Sequence, residues 1–296
     1  MHKILVLRPV ADNLSHTAAA GFALPDHAVV ALEGPDAAGF AHAQFANDVT
    51  GLAIGKWQWN AWLTPKGRVV ALFALLRPAE DRILLLLPDH AAAALAGELQ
   101  RFVFRRKLRI EVRDDLRVSG AFASPAAARG AELAEIEGAL ELDFGAAGGA
   151  RRLRIGGGAS PQDAEAVARW FAFDLAHGLP RLPESQRGQW TPQQLSLERL
   201  PAFSVKKGCY PGQEIVARTH FLGQAKRGLA LLQADAPLAA GAEVAAAGKP
   251  VGTIVSASPI APWLALAVLP LERDAAALAG GGVAVREIAL AEGLRR

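Results

Sequence analysis

Apolar runs of strand length, each stopped by Gly, Pro or Asp, restrict the folds open to this chain more than any other feature. Residues 251–271 give the sharpest case: they carry no charge and are long enough to raise the possibility of a membrane span. Gly252, Pro259, Pro262 and Pro270 break the stretch, and Thr253, Ser256 and Ser258 interrupt any lipid-facing surface. It reads instead as two short buried strands joined by a Pro turn. Runs at 229–232, 243–246, 251–256, 264–268 and 283–288 share this texture, so the chain after Lys226-Arg227 is expected to form a small all-β barrel or sandwich.

The first half is mixed. Residues 28–32, 69–76, 83–87 and 110–112 have strand length and apolar character. Gly34-Pro35-Asp36 opens a helix running toward Asn47, and Pro88-Asp89 starts one in which Ala92, Leu95, Leu99, Phe102 and Val103 keep a 3–4 spacing. From 119 to 161 the composition turns Ala- and Gly-rich around a short strand at 151–155. Ser160-Pro161-Gln162-Asp163 then reads as a helix start, with Ser160 as N-cap, Pro161 at the first helical position and an acid in the first turn. That helix stops at His177-Gly178 before Pro180. The Pro- and Gln-rich loop at 179–202 is too long to be idle and is expected to be packed.

Composition removes whole classes. A chain of 296 residues, 51% hydrophobic and 21% charged, is globular and expected to hold two or three domains. Its one cysteine excludes an intrachain disulfide and any Cys-rich metal site built by a single chain. The net charge of +3 is too small for a nucleic-acid-binding surface. Arg101 and Arg105-Arg106-Lys107 fit a charged helix end better than an RNA patch, because no aromatic platform accompanies them. Gly51 to Trp57 resembles a phosphate loop but is a residue short and lacks the Ser or Thr that would hold magnesium. No His-x-x-x-His or Gly-x-Ser-x-Gly occurs. The apolar core of Met1 to Pro9 is shorter than the about 7–15 residues of a signal peptide, so it reads as a strand and the protein as cytoplasmic, without a membrane partner.

Chemistry concentrates in Lys206-Lys207-Gly208-Cys209-Tyr210-Pro211-Gly212-Gln213. Pro211 and Gly212 give Tyr210 to Gln213 a type II turn signature, and Ile215-Val216 are expected to lead into a strand. The only thiol thus sits at a rigid turn beside two lysines. Cations favour a thiolate, and a one-unit fall from about 8.5 raises its neutral-pH fraction nearly tenfold, for about 1.4 kcal/mol. Two readings stay open on the residues alone: Cys209 as an activated thiol, or as a small buried hydrophobe with solvated lysines.

Residues 203–227, F-S-V-K-K-G-C-Y-P-G-Q-E-I-V-A-R-T-H-F-L-G-Q-A-K-R, closely resemble the signature of the YgfZ family, folate-binding proteins related to the glycine-cleavage T protein. The resemblance extends through Gln44 to Val49, Thr64-Pro65-Lys66-Gly67, Gly178-Leu179-Pro180 and Thr191-Pro192-Gln193, covering residues 28–227 in order. Ala43 and Ala46 stand where the family usually has Gly and often has Thr.

The resemblance implies an α+β aminomethyltransferase-like fold. Residues 1–225 would form a folate-binding region of two lobes, near 1–112 and 113–225, and residues 226–296 a small β-barrel. It implies a tetrahydrofolate-binding accessory factor for iron–sulfur cluster assembly or repair, indirectly supporting tRNA modification, with iron–sulfur proteins as partners. Cys209 would be the functional thiol and Lys207 its electrostatic activator. His27, Asp48, Trp170, Asp174, Tyr210, Gln213, Glu214 and Arg218 would serve the folate site, with no protein-built metal site. Trp170 and Asp174 lie four residues apart on one helix face, a flat wall and an acceptor for a pterin's amino edge. The alternative is a folate-dependent aminomethyl or methyl transferase. Against it, residues 69–77 hold no carboxylate where the transferases carry an Asp pair, and loss of such a proton-handling group costs typically about 10²–10⁴-fold.

Overall fold

The structure is a computed structural model that describes residues 21–296 apart from 90, 224 and 274–276. The strand expected near Met1 lies outside the described residues. The described chain begins with β1 (Phe22–Ala23), β2 (Ala28–Glu33), α1 (Ala37–Gln44), β3 (Lys56–Leu63), β4 (Val69–Ala79), β5 (Arg82–Leu87), α2 (Ala92–Gln100) and β6 (Arg109–Val112). It continues through β7 (Val118–Ala121), β8 (Ala134–Ile136), β9 (Ala139–Asp143), β10 (Arg152–Ile155), α3 (Ala164–Ala176) and α4 (Gln213–Phe221). The last strands are β11 (Arg227–Ala234), β12 (Glu243–Ala246), β13 (Lys249–Ala257), β14 (Trp263–Pro270), β15 (Leu278–Gly280) and β16 (Val283–Ile288).

Three sheets result. The first is ordered β3-β4-β5-β2-β6 and the second β1-β7-β10-β9-β8, while β11-β14-β13-β12-β15-β16 close into a barrel. The uncharged stretch at 251–271 therefore supplies parts of two neighbouring barrel strands, and no described helix is long and apolar enough to cross a membrane.

Burial on both faces explains why β4 and β5 are apolar without alternation. Val30, Leu32, Phe73, Leu75 and Leu85 pack under Phe40 of α1 and Leu95 and Leu99 of α2. On the opposite face Ala31, Ala74, Leu76, Leu84 and Leu86 join Trp57 and Trp59 of β3, Leu153 of β10 and Trp170 of α3.

Two local expectations are corrected. Helix α3 starts at Ala164, not at Pro161, and Asp163 is its N-cap, its carboxylate accepting from the Ala166 amide at 2.9 Å. Residues 213–221 form helix α4 where a strand was expected. The amide of Val216 donates to the carbonyl of Gly212, and Val216 is buried beneath Gln193, whose amide donates to the Val216 carbonyl at 2.9 Å. Tertiary packing overrides the β preference of Ile215-Val216.

The chain does not end in the barrel. Beyond β16 it returns to the first two sheets: the Leu294 carbonyl accepts from Trp59 Nε1 at 2.7 Å, and the Arg296 guanidinium donates to the carbonyls of Asp143 and Gly145.

Candidate functional site

The Cys209 segment is held by backbone geometry first. The Gln213 amide donates to the Tyr210 carbonyl at 3.1 Å, and Gly212 has φ 80° and ψ 1°, the type II turn expected from Pro-Gly. Gly212 is fixed twice over: a Cβ there would lie 2.6 Å from the Thr64 carbonyl oxygen and from Gly67 Cα. A Cβ on Gly67, itself at φ 69°, would lie 2.9 Å from Ile215. The Thr64–Gly67 and Tyr210–Gln213 turns are thus pressed together through two glycines.

Lys207 anchors the segment from below. It is 7% exposed, and its ammonium donates to the Phe45 carbonyl at 2.6 Å and to the His42 carbonyl, carbonyls at the end of α1. The Tyr210 ring centre lies 4.9 Å from Nζ. Burial pushes Lys207 down to about 8, although the Asp48 carboxylate opposes the shift, and burial pushes the Tyr210 phenol up to about 12. The Gln213 side chain donates to the Lys207 carbonyl at 2.9 Å, and Tyr210 Oη to the Ser204 carbonyl at 3.1 Å. Asp48 closes a turn of its own, accepting from Thr50 Oγ1 and the Gly51 amide beside His42. The Gly51 amide chiefly holds its carboxyl below the usual range.

Cys209 itself is exposed. The two readings of this residue therefore separate: it is not a core side chain. Lys207, expected beside it as activator, commits its ammonium to α1. Glu214 and Arg218 are exposed on α4.

Trp170, Asp174 and His27 belong to a second cluster. Trp170 is 1% exposed, enclosed by Phe22, Phe122 and Phe144, with the Arg151 guanidinium 4.2 Å from its ring centre. Its Nε1 has no hydrogen-bond partner among the described residues. Asp174 is equally buried: Oδ1 accepts from Arg151 at 2.8 Å, and Oδ2 lies 3.5 Å from Arg181. The ring and the carboxylate expected to face a ligand are thus enclosed by their neighbours. Arg181 continues the chain of charge outward, donating to Asp89 at 2.5 Å and to the Pro88 carbonyl at 2.7 Å. Burial raises the Asp89 carboxyl despite Arg181. His27 is held well below its ordinary value by burial, then by Arg181 and Arg151, and its Nδ1 has no partner among the described residues.

This cluster ends at a pocket of about 500 Å³ between the end of β5, α3 and the barrel. Asp26, Asp89, Phe171 and Arg181 line it from the body of the molecule, and Ser256 from the barrel. Ser256 is 2% exposed and its Oγ has no partner among the described residues. The Arg181 guanidinium lies 4.7 Å from the Phe171 ring centre. Sequence reasoning missed Asp89, Phe171 and Arg181, although each adjoins a feature it used: the Pro88-Asp89 start, Trp170 and Gly178-Leu179-Pro180. Among the described residues no group of three His, Cys, Asp or Glu could hold a metal ion.

No family model matches the chain. It is 26% identical over 208 residues to an uncharacterized protein of Haemophilus influenzae, covering 70% of each. Among solved structures it resembles the glycine cleavage system aminomethyltransferase T of Bartonella henselae, with a TM-score of 0.70 at 17% identity, over 93% of this chain and 85% of that one. Two helix-backed sheets and a closed six-stranded barrel in this arrangement are the fold of the aminomethyltransferase T proteins.

Proposed function

We propose that this chain is a cytoplasmic tetrahydrofolate-binding accessory factor for iron–sulfur cluster assembly or repair, and through its client enzymes for tRNA modification. The observation that carries the reading is the exposure of Cys209, the only thiol, on a turn locked by Gly212, Gly67 and Lys207. An exposed, rigidly presented thiol meets a partner; a packing cysteine does not. A single thiol cannot hold a cluster alone, so the cluster is cargo shared with a client.

Folate fits the pocket between β5, α3 and the barrel. Its volume of about 500 Å³ lies within the range of about 300–1,000 Å³ usual for small-molecule sites. Phe171 offers a flat wall, Asp26 and Asp89 accept from amino and ring N–H groups, and Arg181 and the unpartnered Ser256 Oγ meet polar atoms of the ligand. Reduced folate supplies one-carbon chemistry when bound. The residues around it bind and orient: Trp170 and Asp174 fix Arg151 and Arg181 from behind, and His27 stands beside that pair as a neutral ring.

The transferase reading draws on one observation, the raised Asp89 carboxyl at the pocket, which stands in a molecule whose β4 offers none. Its pairing with Arg181 at 2.5 Å ties that carboxyl to structure and favours the accessory role. Incubation with a lipoyl-bound aminomethyl donor and tetrahydrofolate separates the two: turnover above the uncatalysed rate establishes the transferase.

Cys209→Ser tests the accessory reading. An exposed residue should leave the melting temperature nearly unchanged, while support of iron–sulfur enzymes in cells lacking the native protein disappears. Full complementation by the variant refutes the functional thiol. Calorimetric titration with tetrahydrofolate tests the pocket: Phe171→Ala should weaken binding by about 1–3 kcal/mol, and no heat up to about millimolar ligand removes folate from the account.

A further inference from the structure

Between α2 and β6 the chain turns through residues 101–108 and puts two aromatic rings into solvent. Phe104 is 86% exposed and Phe102 40% exposed. Arg101, Arg105, Arg106 and Lys107 are exposed beside them. The cations at this helix end therefore do carry an aromatic platform, interleaved with them in the chain. Phe104 also holds φ 47°, a left-handed backbone that a bulky side chain adopts only under constraint. The constraint comes from both sides. Val103 is buried with Phe40, Leu95 and Leu99, the Arg106 amide donates to the Val103 carbonyl at 2.9 Å, and the Lys107 amide donates to the Asp36 carboxylate at 2.6 Å. With Val103 drawn inward and Lys107 pinned, the ring between them is driven out. The Cα atoms of Phe102 and Phe104, two residues apart, lie within about 7 Å of each other, so both rings belong to one tip.

The net charge of +3 for the whole chain hides a local excess: residues 101–107 hold four cations and no acid. Among the described residues none of the four pairs with a carboxylate. Acids flank the tip, but most are engaged. Glu98 lies 3.7 Å from Arg187, Arg82, Arg109 and Arg113 surround Glu33, and Glu111 faces Arg109. Glu80 and Asp81 are exposed on the β4–β5 turn, which meets Gly34 on the Lys107 side. Arg101, Arg105 and Arg106 thus carry the charge around the rings. We infer that this tip binds unpaired nucleotides of a single-stranded nucleic acid, Phe102 and Phe104 stacking on bases while the flanking cations take phosphates. Three of the four cations are Arg, whose planar fork pairs with phosphate oxygens on parallel bonds and also stacks, which Lys does not. Anionic lipid would meet the same charge, but two rings offer less apolar area than the single acyl chain that gives only marginal anchoring. No residue of the tip lines the folate pocket, so this activity goes beyond the accessory-factor reading and does not depend on it.

The test uses the full chain and short fluorescein-labelled oligonucleotides of mixed sequence: a single-stranded RNA, its DNA counterpart and the RNA duplex. Anisotropy should report binding of the single strands that weakens with added salt on a log–log slope of about −2 to −3, as three or four neutralised phosphates require. Phenyl rings and cations meet features common to RNA and DNA, so binding of either strand supports the inference, and the tighter one names the ligand class. The duplex, its bases stacked out of reach, should bind about fivefold or more weakly. Phe104→Gly removes a ring at a φ that glycine accepts, so the melting temperature should hold while affinity falls about fivefold or more. Arg101→Gln/Arg105→Gln should flatten the salt slope by about 1.4. Phe221→Ser, exposed on α4, should change neither. An iodouridine placed in the RNA should photocross-link to Phe102 or Phe104. No anisotropy change up to about 0.1 mM protein, unchanged affinity in Phe104→Gly, or binding of phosphatidylglycerol vesicles with none of either strand overturns the inference. Tetrahydrofolate titration and Cys209→Ser complementation are independent of these readouts, so each reading fails separately.

Discussion

Lys207→Met isolates the anchor beneath the Cys209 turn. The substitution keeps an unbranched apolar stem and removes the ammonium that serves the His42 and Phe45 carbonyls. Burial lowers Lys207 from 10.5 to about 8, so the folded state holds its proton less tightly than the unfolded chain. Stability rises with pH wherever the unfolded state binds more protons, here between pH 8 and 10.5. Below pH 8 both states are charged, and the folded protein carries the full cost of burying the cation. At pH 10 the folded lysine is mostly neutral and the unfolded one mostly charged, a gain of about 2–3 kcal/mol over pH 7. The variant lacks that gain. Urea unfolding of both proteins at pH 7 and pH 10 measures it as a difference, in which every other titrating group cancels. The wild-type advantage should widen by about 2–3 kcal/mol as pH rises. Parallel curves would show that the two carbonyls keep Lys207 charged throughout, and the reasoning from burial would fail.

Gly212→Ala places a side chain at φ 80° and 2.6 Å from Thr64 O and Gly67, so backbone strain of about 1–2 kcal/mol and overlap of about 1–3 kcal/mol add; a urea midpoint shift smaller than that from one helix-surface Gly→Ala would refute the pressed-turn geometry. Arg181→Met leaves the Asp89 carboxylate without its guanidinium, while Asp174 keeps Arg151, and should cost about 3–5 kcal/mol at pH 7. The loss should shrink at low pH, where a protonated Asp89 no longer needs the guanidinium, and a pH-independent loss would contradict the ion-pair account.

Much of the architecture lay in local order along the chain. Short apolar runs stopped by Gly and Pro marked the barrel, and strands β12 and β16 fall where their residues predicted them. Tyr210-Pro211-Gly212-Gln213 determined its turn because Pro fixes one φ and Gly alone accepts the next. The fold of residues 28–227 was legible only through the family resemblance of its motifs, and β3 was missed: its first tryptophan closes a stretch weighed only as a phosphate loop, and the other two lie just beyond it.

Tertiary structure decided what local order cannot encode. Ile215 and Val216 favour a strand, but the seat between Gly67 and Gln193 makes them helical. Lys206 and Lys207 are neighbours of the same type. One is exposed, while the other is buried because carbonyls 162 and 165 residues away in sequence receive it. Trp170 and Asp174 share a helix face as their spacing requires, yet Arg151 closes over both and Arg181 over the carboxylate. The final residues leave the barrel to meet Trp59 across 235 positions. Periodicity and turn chemistry report which face of an element is apolar; only the meeting of distant segments decides what covers that face and which charges are shut in with it.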